Sequence, residues 1–158
     1  MKRISATLFY LLLAIALAAC SSGPRPGTSS VPGQGAIAVE IAPSPIIAHQ
    51  VSSEMYEFPF DVIIRETGGR PVTVTRVSTT VFAGGLNVGG DSWDASEIRK
   101  MGFSPTVPAR GELRYHFAPR RSVPGEGLFN SLSAELKVDA VDDSGAPTSA
   151  TTAVTVRR

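Results

Sequence analysis

The chain of 158 residues contains a single cysteine, Cys20, and two histidines, His49 and His116. One cysteine excludes an internal disulfide and a cysteine-ligated zinc site. Two histidines leave little material for acid–base chemistry, and no Gly-x-Ser-x-Gly elbow occurs to host a serine nucleophile. Tryptophan appears once, at Trp93. Charge of one sign is also lacking, with 15 basic residues against 14 acidic ones. No basic excess is available for a polyanion, so nucleic acid is not an expected partner. No long stretch carries apolar residues at helical spacing, which excludes a helical bundle.

What is present begins at the N-terminus. Lys2 and Arg3 precede an uninterrupted apolar run from Leu8 to Ala19, which ends in small residues before Cys20. A charged start, a short apolar run and small residues at a cut form the pattern of an export signal. The run is too short to span a bilayer, which takes roughly 20 apolar residues. Leu17-Ala18-Ala19-Cys20 resembles the lipobox of bacterial lipoproteins. That resemblance implies cleavage before Cys20 and acylation of its thiol and new amine. Two or three acyl chains are enough for a stable anchor that does not cross the membrane. Residues 1–19 are thus expected to be removed, and taking 19 from 158 leaves 139. Ser21 follows the cysteine where an inner-membrane retention signal would place aspartate. By the same resemblance, the destination is the cell envelope, and the outer membrane where one exists.

Residues 20–35 comprise the lipidated cysteine and a tether. Of the fifteen residues from Ser21 to Gly35, eleven are Gly, Pro or Ser, a composition that cannot build a core. The folded domain is expected over 36–158. Its period is two almost throughout. Ile37, Val39 and Ile41 share one side, as do Tyr56, Phe58, Phe60, Val62 and Ile64. The stretch Pro71–Phe82 starts in one phase with Val72 and Val74 and continues in the other with Val77, Thr79 and Val81. Such a slip near Arg76 is the mark of a β-bulge. Alternation returns in Glu112–Ala118, Leu132–Ala140 and Thr148–Val156.

About seven strands separated by turn residues indicate a single antiparallel, all-β sandwich. With Phe58-Pro59-Phe60-Asp61-Val62-Ile63-Ile64, the turn Thr67-Gly68-Gly69-Arg70 and the stretch Leu136–Gly145, the chain resembles bacterial immunoglobulin-like and fibronectin-type-III-like domains. It lacks the disulfide and core tryptophan of antibody domains, so no antibody-type recognition follows from the resemblance. Such a fold hosts many functions and chooses none by itself.

The chemistry-bearing groups are few. His116 falls opposite the Leu113-Tyr115-Phe117 face and is expected in solvent, while His49 belongs to a loop or crossover. Asp139, Asp142 and Asp143 are oxygen-rich, but their spacing is not that of a calcium loop and suits an aspartate-initiated turn. Arg110, Arg114, Arg120 and Arg121 form a small basic cluster, with a solvated turn as its default reading. The paired glycines of Gly84–Gly90 lack the ending of a phosphate-binding loop and read as turns. Asp94-Ala95-Ser96-Glu97 has capping-box spacing for a helix of at most two turns.

Gly84 to Gly102 therefore reads as one long connection, the best candidate for a partner-binding surface. Trp93 would be its anchor, or else a plug at one end of the sandwich. Asp91, Asp94 and Glu97 would give orientation at its rim. The expected function is a lipid-anchored, non-enzymatic envelope protein, without cofactor or metal, that binds or spaces an envelope protein or polymer. An assembly accessory acting through a strand edge or groove is the alternative, and a hydrolase a remote one.

Overall fold

Phe60, Val62 and Ile64 alternate with Asp61, Ile63 and Arg65, and the aromatic and β-branched set turns inward and is buried. The computed structural model describes residues 33–158, so the signal, Cys20 and most of the tether lie outside the described residues. In chain order the strands are β1 (Ile37–Ala42), β2 (Ile46–Ile47), β3 (His49–Ser52), β4 (Met55–Glu57), β5 (Phe60–Glu66), β6 (Val72–Ala83) and β7 (Leu86–Asp94). The helix α1 (Ala95–Lys100) follows, then β8 (Thr106–Val107), β9 (Glu112–Phe117), β10 (Arg120–Ser122), a 3-10 turn (Glu126–Asn130), β11 (Leu132–Asp142) and β12 (Pro147–Arg157).

The fold is all-β, with its sheets closing on one shared apolar core. One sheet runs β2-β12-β11-β6-β7, with β8 pairing the start of β6. It faces β1-β5-β9, and the third sheet runs β10-β4-β3. These last two are collinear halves. Phe60 pairs Phe117, Glu57 pairs Arg120, and the register carries through between them without a shift. Proline causes the break: Pro59 and Pro119 lie in the gap and supply no N–H to the ladder. One hydrogen bond crosses the gap, from Phe58 N–H to the Pro119 carbonyl (3.0 Å). A second proline segment, Pro43-Ser44-Pro45, with cis bonds before both prolines, takes the chain across so that β2 pairs parallel with β12.

The expected bulge is in place. Arg76 faces Asp139 and Val74 faces Ala140, which leaves Thr75 as the extra residue, its hydroxyl donating to the Asp139 carbonyl (3.0 Å). Ile63 turns outward between Glu40 and Arg114 and is nevertheless buried.

The long connection expected from Gly84 to Gly102 is instead a hairpin with one bulge, followed by a capped helix. Gly84 and Gly85 both have positive φ, as a two-residue turn between twisted strands requires, and β7 pairs β6 along its length. The strand was hidden because its glycines, Asn87 and Asp91 have low strand propensity.

Two buried carboxylates hold the pole where the chain enters. Glu66 accepts N–H bonds from Ala36 (3.2 Å), Gly68 (2.6 Å), Gly69 (2.9 Å) and Arg110 (2.8 Å). Asp142 accepts from Gly35 N–H (3.0 Å), Ser144 N–H (2.9 Å) and hydroxyl (2.6 Å), and Ala146 N–H (2.9 Å). Gly35 is thus already packed in the domain.

A candidate binding cleft between the sheets

Alternation turns Thr79, Val81 and Ala83 of β6 and Ala134 of β11 toward the core, yet all four stay partly exposed. The reason is a gap between the sheets of about 390 Å³ at the pole opposite Glu66 and Asp142. The facing wall comes from Ile41, Phe58, Phe60, Val123 and Leu128. Small residues make the space, since Ala83, Ala134 and Gly89 stand where larger side chains would fill it. A cavity of this size falls within the range of small-molecule sites, ~300–1,000 Å³.

The mouth lies between the edge strand β7 and the segment Pro119–Pro124. Val81 pairs Gly89 while Phe82 pairs Asn87, so Val88 bulges out and is 60% exposed, and Leu128, 38% exposed, also lines the cleft. Gly90 cannot be replaced without moving the strand: a Cβ there would stand 2.0 Å from the Thr79 carbonyl oxygen. Asp91 lies opposite Thr79 on β6, a carboxylate facing the sandwich from an edge strand, and its N–H donates to the Thr79 hydroxyl (3.1 Å). Across the mouth it is bound by the Arg121 guanidinium, whose Nη1 also donates to the Arg120 carbonyl (2.8 Å). This pair links the two sheets at the opening.

The other residues singled out from the sequence take different places. Trp93 lies opposite the buried Val77 and packs on Phe117, with ring centroids 4.5 Å apart. Phe117 in turn stacks on Phe60 (5.6 Å), so Trp93 supports the aromatic floor while part of it stays exposed. That packing is of the kind a plug would make. Asp94 and Glu97 form the capping box of α1: Asp94 accepts from Ser96 N–H (2.7 Å) and Glu97 N–H (2.9 Å), and Glu97 accepts from Asp94 N–H (2.8 Å). The Glu97 and Ser96 backbone donors hold the Asp94 carboxyl below its usual range. The box fixes the helix whose Ile98 is fully buried in the core. Cys20 lies outside the described residues.

Three of the four clustered arginines have carboxylate partners. Arg114 binds Asp61 (3.1 Å), Arg120 binds Glu57 (2.9 Å) and Arg121 binds Asp91. His116 is exposed on the outer face of β9, with Nδ1 2.8 Å from Asp61. That hydrogen bond, with help from Arg114, holds the Asp61 carboxyl below its usual range. His49 is exposed on β3. The aspartates 139, 142 and 143 diverge: Asp142 ties the turn, Asp143 binds Arg70 (2.7 Å) and Asp139 binds Lys137 (2.8 Å). The cleft was not legible from the sequence. Its only signal was the run of small inward positions, which alternation reads as ordinary core.

No protein-family model matches the chain, and no curated protein matches it. Solved structures resemble it in shape. A structure described as an ApaA protein from Bordetella pertussis aligns with a TM-score of 0.57 at 16% identity, covering 81% of this chain and 99% of its own. The Northeast Structural Genomics Consortium target SoR45 aligns with a TM-score of 0.53 at 16% identity, covering 80% and 90%. The CARDB domain of PF1109 from Pyrococcus furiosus, crystallised with di-metal ions, aligns at 0.41 and 16%, covering 81% and 98%. The first two likenesses show a shared fold and, at that identity, nothing of function.

Proposed function

We propose that this chain is a lipid-anchored, non-enzymatic protein of the cell envelope whose β-sandwich binds another envelope component at the mouth of the inter-sheet cleft. The single observation carrying the binding part is the open apolar cleft with a charged pair at its rim. The anchor rests on Leu17-Ala18-Ala19-Cys20, and outer-membrane placement, where that membrane exists, on Ser21. Asp91 stays in the proposed site, joined by Arg121, Val88 and Leu128. Asp94 and Glu97 are assigned to holding the helix, and Trp93 to supporting the floor. We further read the collinear pairs β4–β5 and β9–β10 as single passes, which with β1, β6, β7, β11 and β12 give a sandwich of seven main strands.

The edge of β7 is the place where a strand-adding accessory would act. Its bulge at Val88 and inward-facing Asp91 are devices that discourage such pairing, so the cleft is the better-supported surface. The test is photocrosslinking in cells, with a benzophenone side chain at Val88 on the rim and, as control, at Glu112 on the outer face of β9. Capture specific to Val88 is the expected result. Equal capture at both positions, or none, would remove the cleft from the proposal.

A further inference from the structure

We propose that the cleft binds a single-chain amphiphile with an anionic head, the hydrocarbon chain lying between the sheets and the head resting on Arg121. This inference builds on the reading of the cleft as the binding site and names its ligand class.

The lining decides the tail. Phe58, Val81, Ala83, Leu132, Ala134 and Leu136 offer hydrocarbon and no polar group. A gap so lined gives water few partners, since a buried water usually makes about three hydrogen bonds. A hydrocarbon chain needs none, and its methylenes gain by leaving water for such a lining. The opening lies along the sheet edges, and the interior charges sit only at the mouth, so a ligand with one polar end and one apolar tail matches the distribution of groups.

The rim decides the head. Asp91 and Arg121 are the two charged residues of the lining. Asp91 is short, fixed on β7, and anchored through its own N–H to Thr79. Arg121 has a long stem whose methylenes can lie along apolar surface while its guanidinium reaches out. Its fork of five N–H donors has one bond to the Arg120 carbonyl and one to Asp91. The remaining donors allow a second carboxylate or a phosphate to join without displacing Asp91. A cationic head would have to compete with Arg121 for Asp91.

The experiment is calorimetric titration of the full chain carrying Cys20→Ser, which bears no acyl group of its own. Dodecanoate, dodecanol and dodecyltrimethylammonium, three probes with one tail and three heads, are added below their micellisation concentrations. Dodecanoate is expected to bind. Arg121→Gln should weaken dodecanoate by about tenfold and leave dodecanol unchanged, the loss of a charge-assisted contact alone. Ala134→Phe, which fills the gap, should abolish binding of both, with the melting temperature showing that the variant is folded. Ala83→Leu serves the same purpose should Ala134→Phe unfold. No dodecanoate binding, undiminished binding in the filled variant, or tighter binding of the cationic probe would each overturn the proposal. The broader reading is tested separately: selective capture of a protein or polymer at Val88, with dodecanoate silent, keeps the cleft as a partner site and overturns the amphiphile.

Discussion

Phe60 is the residue on which register and cleft both depend. It is buried, stacks on Phe117, and forms part of the cleft wall. Phe60→Ala should cost about 3–5 kcal/mol in a denaturant titration, the usual cost of removing a buried ring. Trp93→Ala should cost less, about 2 kcal/mol, because part of the indole is already in water. An unchanged stability for Trp93→Ala would return that side chain to the role of an exposed anchor. Glu66 and Asp142 give the molecule its acid response. Burial raises the Glu66 carboxyl, but the N–H donors of Arg110, Ala36, Gly69 and Gly68 together outweigh that and hold it below its usual range. The Ser144 hydroxyl, followed by the Gly35 N–H, holds the Asp142 carboxyl well below its usual range. A carboxyl depressed in the folded state contributes fully above its unfolded value and loses that contribution as pH falls through the folded one. The melting temperature should therefore be flat from pH 7 to about 5 and drop below that. Glu66→Gln and Asp142→Asn should each lower it at pH 7 and shallow the acid slope.

At the scale of elements, the strands with apolar alternation were legible and the others were not. Strands β1, β5, β6, β11 and β12 carry inward apolar sets that only a half-buried strand explains, and the slip in β6 revealed its own bulge. Strands β2, β3, β8 and β10 are too short for a period to show. Strand β7 is long, but its inner face carries Gly89, Asp91 and Trp93, a pattern that local propensity assigns to a loop. Pairing with β6 overrides that propensity. The hairpin gives a graded test. Gly85→Ala should cost about 1–2 kcal/mol, the penalty for a Cβ at positive φ. Gly90→Ala should cost more than Gly85→Ala, because its Cβ meets the backbone of Thr79 and pushes the edge strand away. Amide shifts confined to β6 and β7, with a shift of the Arg121 Nε–H, would show the displacement, and dodecanoate affinity should fall with it.

At the scale of the whole molecule, the fold followed from patterning while the cleft did not, because a cavity is a property of two sheets that no single strand encodes. Ala83 and Ala134 read as core in their own strands and leave a void only because, side by side on one sheet, they are too small to reach the opposite wall of Ile41, Phe58 and Phe60. The entry pole at Gly35 and the cleft lie at opposite ends of the domain. A chain anchored through Cys20 would on this geometry carry its opening away from the attachment point. Replacing Cys20 by Ser should abolish fatty-acid labelling in cells, and labelled mature protein at normal levels would refute the anchor. The proline gap has a kinetic consequence as well. Pro59 and Pro119 leave one rung between two collinear half-sheets, a crease across the layer that bears the cleft's outer wall. Bending along that crease would widen the opening without breaking the ladders on either side. Amide hydrogens of β4 and β10 should then exchange with deuterium faster than those of β5 and β9, and an occupied cleft should slow the first pair while leaving the second unaltered.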